Sequence, residues 1–258
     1  MEILSLDPLY LVALLAIGIP TGILSGLFGI GGGAIIVPFM ILLGNDIKIA
    51  VGISIMQMIF SSIYGSYINY KQHNLDFRDG IYAGFGGLIG AAFSGMVVDT
   101  IPSRILEGVF TLFIAYSLVK FFKANAEGGE SRLGNGIGAR LFLIGGSCVV
   151  GVFAISLGVG GGMMLAPLLA YYLGYSSKRI VPISLFFIIF SSISGFTSLA
   201  LHGYTDYKQG FLVGISSIIG VRIGIWLLGK INAKKHKYAL LVLYCLILVF
   251  MLKKIFLG

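Results

Sequence analysis

The sequence predicts an all-α polytopic membrane protein made of two inverted-topology repeats, each a glycine-broken helical hairpin followed by three transmembrane helices. Three observations predict it: long uncharged apolar runs, an internal repeat, and an uneven distribution of Lys and Arg. Of 258 residues, 57% are hydrophobic and 11% charged, where soluble chains carry about 25% charged residues. The mean hydropathy is +1.00. Residues 9–44, 49–70, 80–98, 141–174, 180–201, 210–221 and 238–252 contain no charge. About 20 apolar residues cross a hydrocarbon core roughly 30 Å thick, and most of these runs reach that length. A β-barrel would need alternating segments of about ten residues instead.

The repeat can be read residue by residue. GLFGIGGGAIIVPFM (26–40) matches AISLGVGGGMMLAPLL (154–169), so Gly29, Gly31, Gly32, Gly33 and Pro38 fall on Gly158, Gly160, Gly161, Gly162 and Pro167. Ser54 then falls on Ser184, Ser61 and Ser62 on Ser191 and Ser192, and Asp76 and Gly84 on Asp206 and Gly214. The register is kept over roughly a hundred residues, which sets the expected organisation. Residues 1–122 form a first membrane repeat, 123–140 a polar cytoplasmic linker containing NAEGGESRLGNG, and 141–258 a second membrane repeat. The opening MEILSLDPLY has no basic residue and no small-residue cleavage pattern, so it reads as the start of a first membrane segment.

Charge decides the relative orientation. If each glycine triplet marks a point where the chain dips in and returns, three spans follow each hairpin and equivalent loops face opposite sides. Twelve basic residues then share one side, among them Lys71, Arg78, Lys123, Arg132, Arg179, Lys230 and Lys235, and five share the other. A single crossing through each triplet gives parallel halves and a nearly even split. Because Lys and Arg concentrate in cytoplasmic loops, the inverted arrangement is favoured, with both termini outside and the linker in the cytoplasm of an inner or plasma membrane. The net charge of +8 is thereby read as topology and headgroup contact rather than nucleic-acid binding. Cys148 and Cys245 lie in apolar runs without a C-x-x-C spacing and read as small buried hydrophobes.

The triplets are the first candidate site. Unpaired backbone in lipid costs several kcal/mol per group, so a broken helix persists only where protein or water covers it. Three consecutive glycines break a helix readily, each costing about 1 kcal/mol relative to Ala. The stretches that resume, residues 34–43 and 163–172, are half a membrane thick. Each presents a helix amino end, with free N–H groups and partial positive charge, near mid-membrane. Gly31, Gly32, Gly33, Gly160, Gly161 and Gly162 are therefore candidate anion-binding positions. Single glycines such as Gly22/Gly26 and Gly220/Gly224 read instead as close helix packing. The G-x-G-x-x-A over 29–34 follows no soluble strand, so dinucleotide binding is dismissed.

Polar groups within the runs are the second set. Ser54 and Ser184 occupy equivalent positions, with carbonyl bonding one turn back as the simpler role for each hydroxyl. Gln57 is costly to bury and faces Phe187 in the repeat. Arg222, opposite Ala92, is a charge well inside an apolar run. It could bind substrate or extend to the interface beside Lys230. His73 and His202 sit at loop edges and rank lower.

The duplicated G-x-G-G-G-x(4)-P signature, within LSGLFGIGGGAIIVPFM and its second copy, resembles the TauE/SafE family of membrane proteins, described as sulfite exporters. The likeness runs over nearly the whole chain. It implies secondary transport: export of sulfite, a sulfonate or a related organic anion across the inner membrane. The second copy departs at Ala154 and Ser156.

None of the ten carboxylates is central in a predicted span, so export is expected to run without a buried carboxylate relay, driven by an inside-negative potential. The expected partners are a small anionic substrate and membrane lipids, with room for a homo-oligomer. No cofactor, metal, catalytic residue or nucleic acid is expected. The competing reading is a membrane-embedded enzyme acting on a sulfur or lipid-linked substrate. It lacks a nucleophile or His/Asp/Cys constellation in the spans.

Overall fold

The computed structural model describes residues 8–134 and 136–257. These fold into helices α1 (Pro8–Phe28), α2 (Gly33–Leu42), α3 (Ile47–Lys71), α4 (Phe77–Ala91), α5 (Ser94–Thr100) and α6 (Ser103–Lys123). The second half supplies α7 (Ile137–Ser156), α8 (Gly161–Pro167), α9 (Ser177–Leu201), α10 (Tyr207–Lys230) and α11 (Ala233–Leu257). Among the described residues, seven segments are long and apolar enough to cross a membrane: α1, α3, α4 with α5, α7, α9, α10, and Ala233–Lys253 within α11.

The repeat recurs in the helix caps. Asp46 and Ser176 cap α3 and α9, accepting hydrogen bonds from Lys48 N (2.8 Å) and Arg179 N (3.3 Å). Asp76 and Asp206 cap α4 and α10 in the same manner. Each cap satisfies an otherwise orphaned backbone N–H and is worth about 1 kcal/mol.

Both hairpins turn back on themselves. Asn45, just beyond α2, donates to the hydroxyl of Tyr10 near the start of α1 (3.1 Å), and Tyr10 donates to Gln209 of α10 (2.5 Å). In the second half, Tyr172 packs on Phe142 near the start of α7, with ring centroids 5.1 Å apart. Its carbonyl accepts from Arg132 N (3.0 Å) in the linker. The element ends fall into two groups. Lys48, Asp99 and Tyr204 meet in one. In the other, Ser177 bonds the Ala233 carbonyl, and Lys237 bonds the carbonyls of Phe122 and Ala124.

The halves exchange partners. α1 lies along α10 and α7 lies along α4, so each first helix packs on the third span of the other half. Small residues permit the approach. A Cβ on Gly22 would sit 2.1 Å from the Ser217 carbonyl oxygen, and one on Gly90 would sit 1.9 Å from that of Cys148. Membrane helices without a hydrophobic drive between them associate through such backbone-to-backbone contact.

Three local features differ from the sequence reading. The third span of the first half bends between α4 and α5, where no proline stands; Ser198 of α9 accepts from Gly95 N (3.0 Å) and donates to the Ala92 carbonyl (2.8 Å). The stretch after the second triplet is not one regular half-helix: α8 ends at Pro167 and a π-helical turn, Leu168–Tyr172, completes it. Cys245 is exposed and Cys148 half-buried, because their helix faces point outward. They are not the buried hydrophobes expected.

Candidate functional site

The two broken hairpins cross at their breaks. α1 ends at Phe28 and α2 begins at Gly33; between them Gly31 and Gly32 take φ of 81° and 87°. Between Ser156 and Gly161, Gly158 and Gly160 take φ of 64° and 80°. This left-handed region is open to glycine and strained for side-chain-bearing residues. The remaining triplet members, Gly33, Gly161 and Gly162, already belong to the first turns of α2 and α8. Their requirement is space. A Cβ on Gly162 would lie 1.6 Å from the Gly29 carbonyl oxygen, and one on Gly33 would lie 1.9 Å from that of Gly158. A Cβ on Gly160 would meet the Ile30 carbonyl oxygen at 2.1 Å. Backbone thus touches backbone where the hairpins cross.

α3 and α9 flank the crossing. Ser54 of α3, fully buried, donates to the Gly158 carbonyl (2.7 Å), and Met58 one turn on reaches Gly31 and Gly33. Ser184 of α9 stands in the equivalent place beside Gly29, buried, with no protein hydrogen-bond partner for its hydroxyl. Gln57 is fully buried, and neither its amide nitrogen nor its amide oxygen has a partner. Leaving a buried polar group unpaired costs about 1–3 kcal/mol, so this side chain asks for a ligand or water. Its repeat partner Phe187 instead presses its ring on Gly161. The repeat is therefore broken at this position: a buried amide on α3 stands where α9 carries a ring packed on the second break.

Sequence reasoning missed Ser25. It lies one turn before the first break, its hydroxyl is buried without a partner, and its carbonyl accepts from Gly29 N (2.8 Å). A hydroxyl in GILSGLF, opposite Ala154 in the repeat, was the available signal. His236 and Tyr244 were missed as well. They lie two turns apart on α11, and each binds a carbonyl at one break. His236 Nε2 donates to Leu27 O (2.8 Å) at the end of α1. Tyr244 donates to Met163 O, the acceptor that Pro167 leaves free because proline has no N–H.

Arg222 is not brought to the crossing. It is exposed on α10 and lines an outer groove with Tyr67, Lys71 and Trp226. His73 ends α3 with φ 57°, and His202 Nδ1 lies 2.8 Å from the Ser198 carbonyl oxygen at the end of α9. Both stand at helix ends. Among the described residues, no three His, Cys, Asp or Glu side chains gather in a group able to hold a metal.

At the second hairpin's outer end, Tyr175 donates to Asp79 of α4, and Arg179 pairs with Asp76 (2.7 Å). Burial, and then the Asp79 carboxylate, push the Tyr175 phenol well above its ordinary range. Asn45 and Gln209, bonded at 3.1 Å, hold the equivalent positions at the first hairpin's outer end.

Comparison with known proteins places the chain among membrane transporters. The family model described as sulfite exporter TauE/SafE matches residues 14–251. A probable membrane transporter protein of Methanocaldococcus jannaschii is 29% identical over 246 residues, covering 88% of this chain and 89% of its own length. The probable membrane transporter proteins YunE and YdhB of Bacillus subtilis are each 25% identical. The YunE alignment covers 86% of this chain and 90% of that protein, and the YdhB alignment 79% and 84%. No solved structure matches the chain. With its apolar helices, its duplicated glycine breaks and a family match from residue 14 to residue 251, this multi-pass membrane chain belongs to the sulfite exporter TauE/SafE family of transporters.

Proposed function

We propose that this transporter exports a small anion such as sulfite or a sulfonate, bound where the two glycine breaks cross. The observation that carries the proposal is the pair of interlocked breaks beside the buried, unpartnered hydroxyls of Ser184 and Ser25, with the unpartnered amide of Gln57 one turn beyond Ser54 on α3. Gly31, Gly32 and Gly33 supply close backbone approach at the amino end of α2, where partial positive charge favours an anion. Gly160, Gly161 and Gly162 form the opposing wall, and Ser54 fixes the second break to α3. With backbone packed against backbone, the crossing holds an anion only when the breaks part. The site is then emptied and filled as the hairpins separate toward one side and then the other. Weak binding suffices: a millimolar Kd is about −4 kcal/mol.

The reading includes inverted repeats over residues 1–122 and 141–258, joined by a cytoplasmic linker. It is supported by the return of α2 to Tyr10 and by the return of the segment after α8 to Phe142. The helices that follow each hairpin also match, with α6 standing where α11 stands in the second half. It also collects Lys71, Lys123, Arg132, Arg179 and Lys230 at one end, the expected cytoplasmic side, and leaves both termini outside.

The test is sulfite and alkylsulfonate flux in proteoliposomes at fixed pH with varied membrane potential. Outward flux of a monoanion should rise with inside-negative potential, which contributes about 2.3 kcal/mol per charge per 100 mV. Flux that ignores voltage and follows only a proton gradient overturns the uncoupled reading. Gly32→Leu or Gly161→Leu protein that folds and still transports removes the site.

A further inference from the structure

We propose that the outer groove between α3 and α10 is a binding site for one anionic phospholipid, and that Arg222 serves this site rather than the transported anion. The groove encloses about 460 Å³ between the last turns of α3 and the last two turns of α10. Its floor is apolar, formed by Ile68 and Ile225. Its rim carries two cations, Lys71 and Arg222, and two aromatic rings, Tyr67 and Trp226. None of the described residues that line it is acidic.

Each feature limits the occupant. Two uncompensated cations call for an anion. Arg222 lies two turns before the end of α10, about 12 Å along the helix axis, so its guanidinium reaches toward the headgroup level along its own aliphatic stem. Tyr67 and Trp226 are 50% and 56% exposed, although both are large rings that a water-facing surface would cover. Such rings belong at the boundary between headgroups and acyl chains. Each ring already has a cation over it: Lys71 Nζ lies 4.8 Å from the Tyr67 ring centroid, and Lys230 Nζ, from just beyond the groove, lies 3.7 Å from that of Trp226. A free inorganic anion would leave the Ile68–Ile225 floor unused. A diacyl lipid uses both parts, with its phosphate between Lys71 and Arg222 and one chain along the floor and the Trp226 face. The groove opens on the outer surface of two spans, where lipid is the solvent, and at the end where basic loops gather.

Trp226 is the sole tryptophan of the chain, so its fluorescence reports the groove alone. The full-length protein in phosphatidylcholine vesicles is titrated with brominated phosphatidylglycerol or, separately, brominated phosphatidylcholine. Wild-type protein should be half-quenched at a clearly lower fraction of the anionic lipid than of the zwitterionic one. Arg222→Gln and Lys71→Gln should each weaken that preference by about fivefold, the contribution of one basic residue at an anionic surface. Arg222→Lys, which keeps the charge, should retain most of it. Equal quenching of wild-type protein by the two lipids overturns the proposal, as does an unchanged preference in the Arg222→Gln/Lys71→Gln double variant. Loss of the preference on adding soluble sulfite or phosphate at constant ionic strength also overturns it, since the groove would then be a site for free anions.

Discussion

Gly162→Ala is the sharpest probe of the crossing, because in this position the added methyl acts through contact alone. Gly162 lies in the first turn of α8 and its φ is not in the left-handed region, so alanine meets no backbone strain there. Its Cβ would fall 1.6 Å from the Gly29 carbonyl oxygen, 2.6 Å from the carbonyl carbon and 3.1 Å from Ile30 Cα. All three are backbone atoms of the other break, so no side-chain rotation relieves the overlap. The breaks must part by about 2 Å before ordinary packing distances return. Overpacking of this kind costs about 1–3 kcal/mol. At about 2–4 °C per kcal/mol for a chain of this size, the midpoint of thermal unfolding should fall by about 2–12 °C. Gly138→Ala on α7, whose Cβ would meet nothing within 4 Å, is the matched control. It should be neutral or stabilising by up to about 1 kcal/mol. The assay is thermal unfolding of both variants in the same detergent, paired with sulfite flux in proteoliposomes. Gly162→Ala protein as stable and as active as Gly138→Ala protein refutes the interlocked crossing.

Three further outcomes follow from the same geometry. Gln57→Leu removes a buried amide without a protein partner, so it should raise stability by about 1–3 kcal/mol in thermal unfolding while reducing flux; a less stable, fully active variant contradicts the role given to Gln57. Ser54→Ala should cost about 1 kcal/mol through its lost bond to Gly158, whereas Ser184→Ala, whose hydroxyl has no protein partner, should cost less. The Tyr175 phenol is raised in the folded protein, so the stabilisation it gives is complete below its unfolded pKa of about 10 and is lost as pH rises toward its higher folded value. Unfolding midpoints of wild-type and Tyr175→Phe protein should therefore converge as the solution is made more alkaline than the ordinary tyrosine range. A gap that widens there excludes a raised Tyr175 pKa.

The parts of the structure legible in the sequence were those written in backbone requirements. Consecutive glycines placed both breaks, because φ values of 81° and 87° at Gly31 and Gly32 leave a recognisable residue type behind. Gly22, Gly26, Gly220 and Gly224 were legible as packing for the same reason: backbone contact between spans leaves only small residues. What was not legible depends on partners distant in sequence. The bend after Ala91 has no proline at its corner; it is held by Ser198, more than a hundred residues away. The π-helical turn after Pro167 goes with a carbonyl satisfied by Tyr244, on a helix whose own sequence gives no hint of that duty. Arg222 was ambiguous because one dimension records only its distance from Lys230. Which way it points is set by the packing of α10 against α1 and α3.

The exchange of helices between halves has a consequence for how the chain is made. α1 emerges first, yet its main neighbour, α10, begins about 180 residues after α1 ends. At about 5–20 residues per second, the glycine face of α1 waits roughly 10–40 s for its partner. Through that interval α1 must be sheltered by lipid, by the insertion machinery or by the growing first half. The first half cannot finish folding when its own last helix is released. Its completion is deferred until the second half has entered the membrane, and the two halves then mature together.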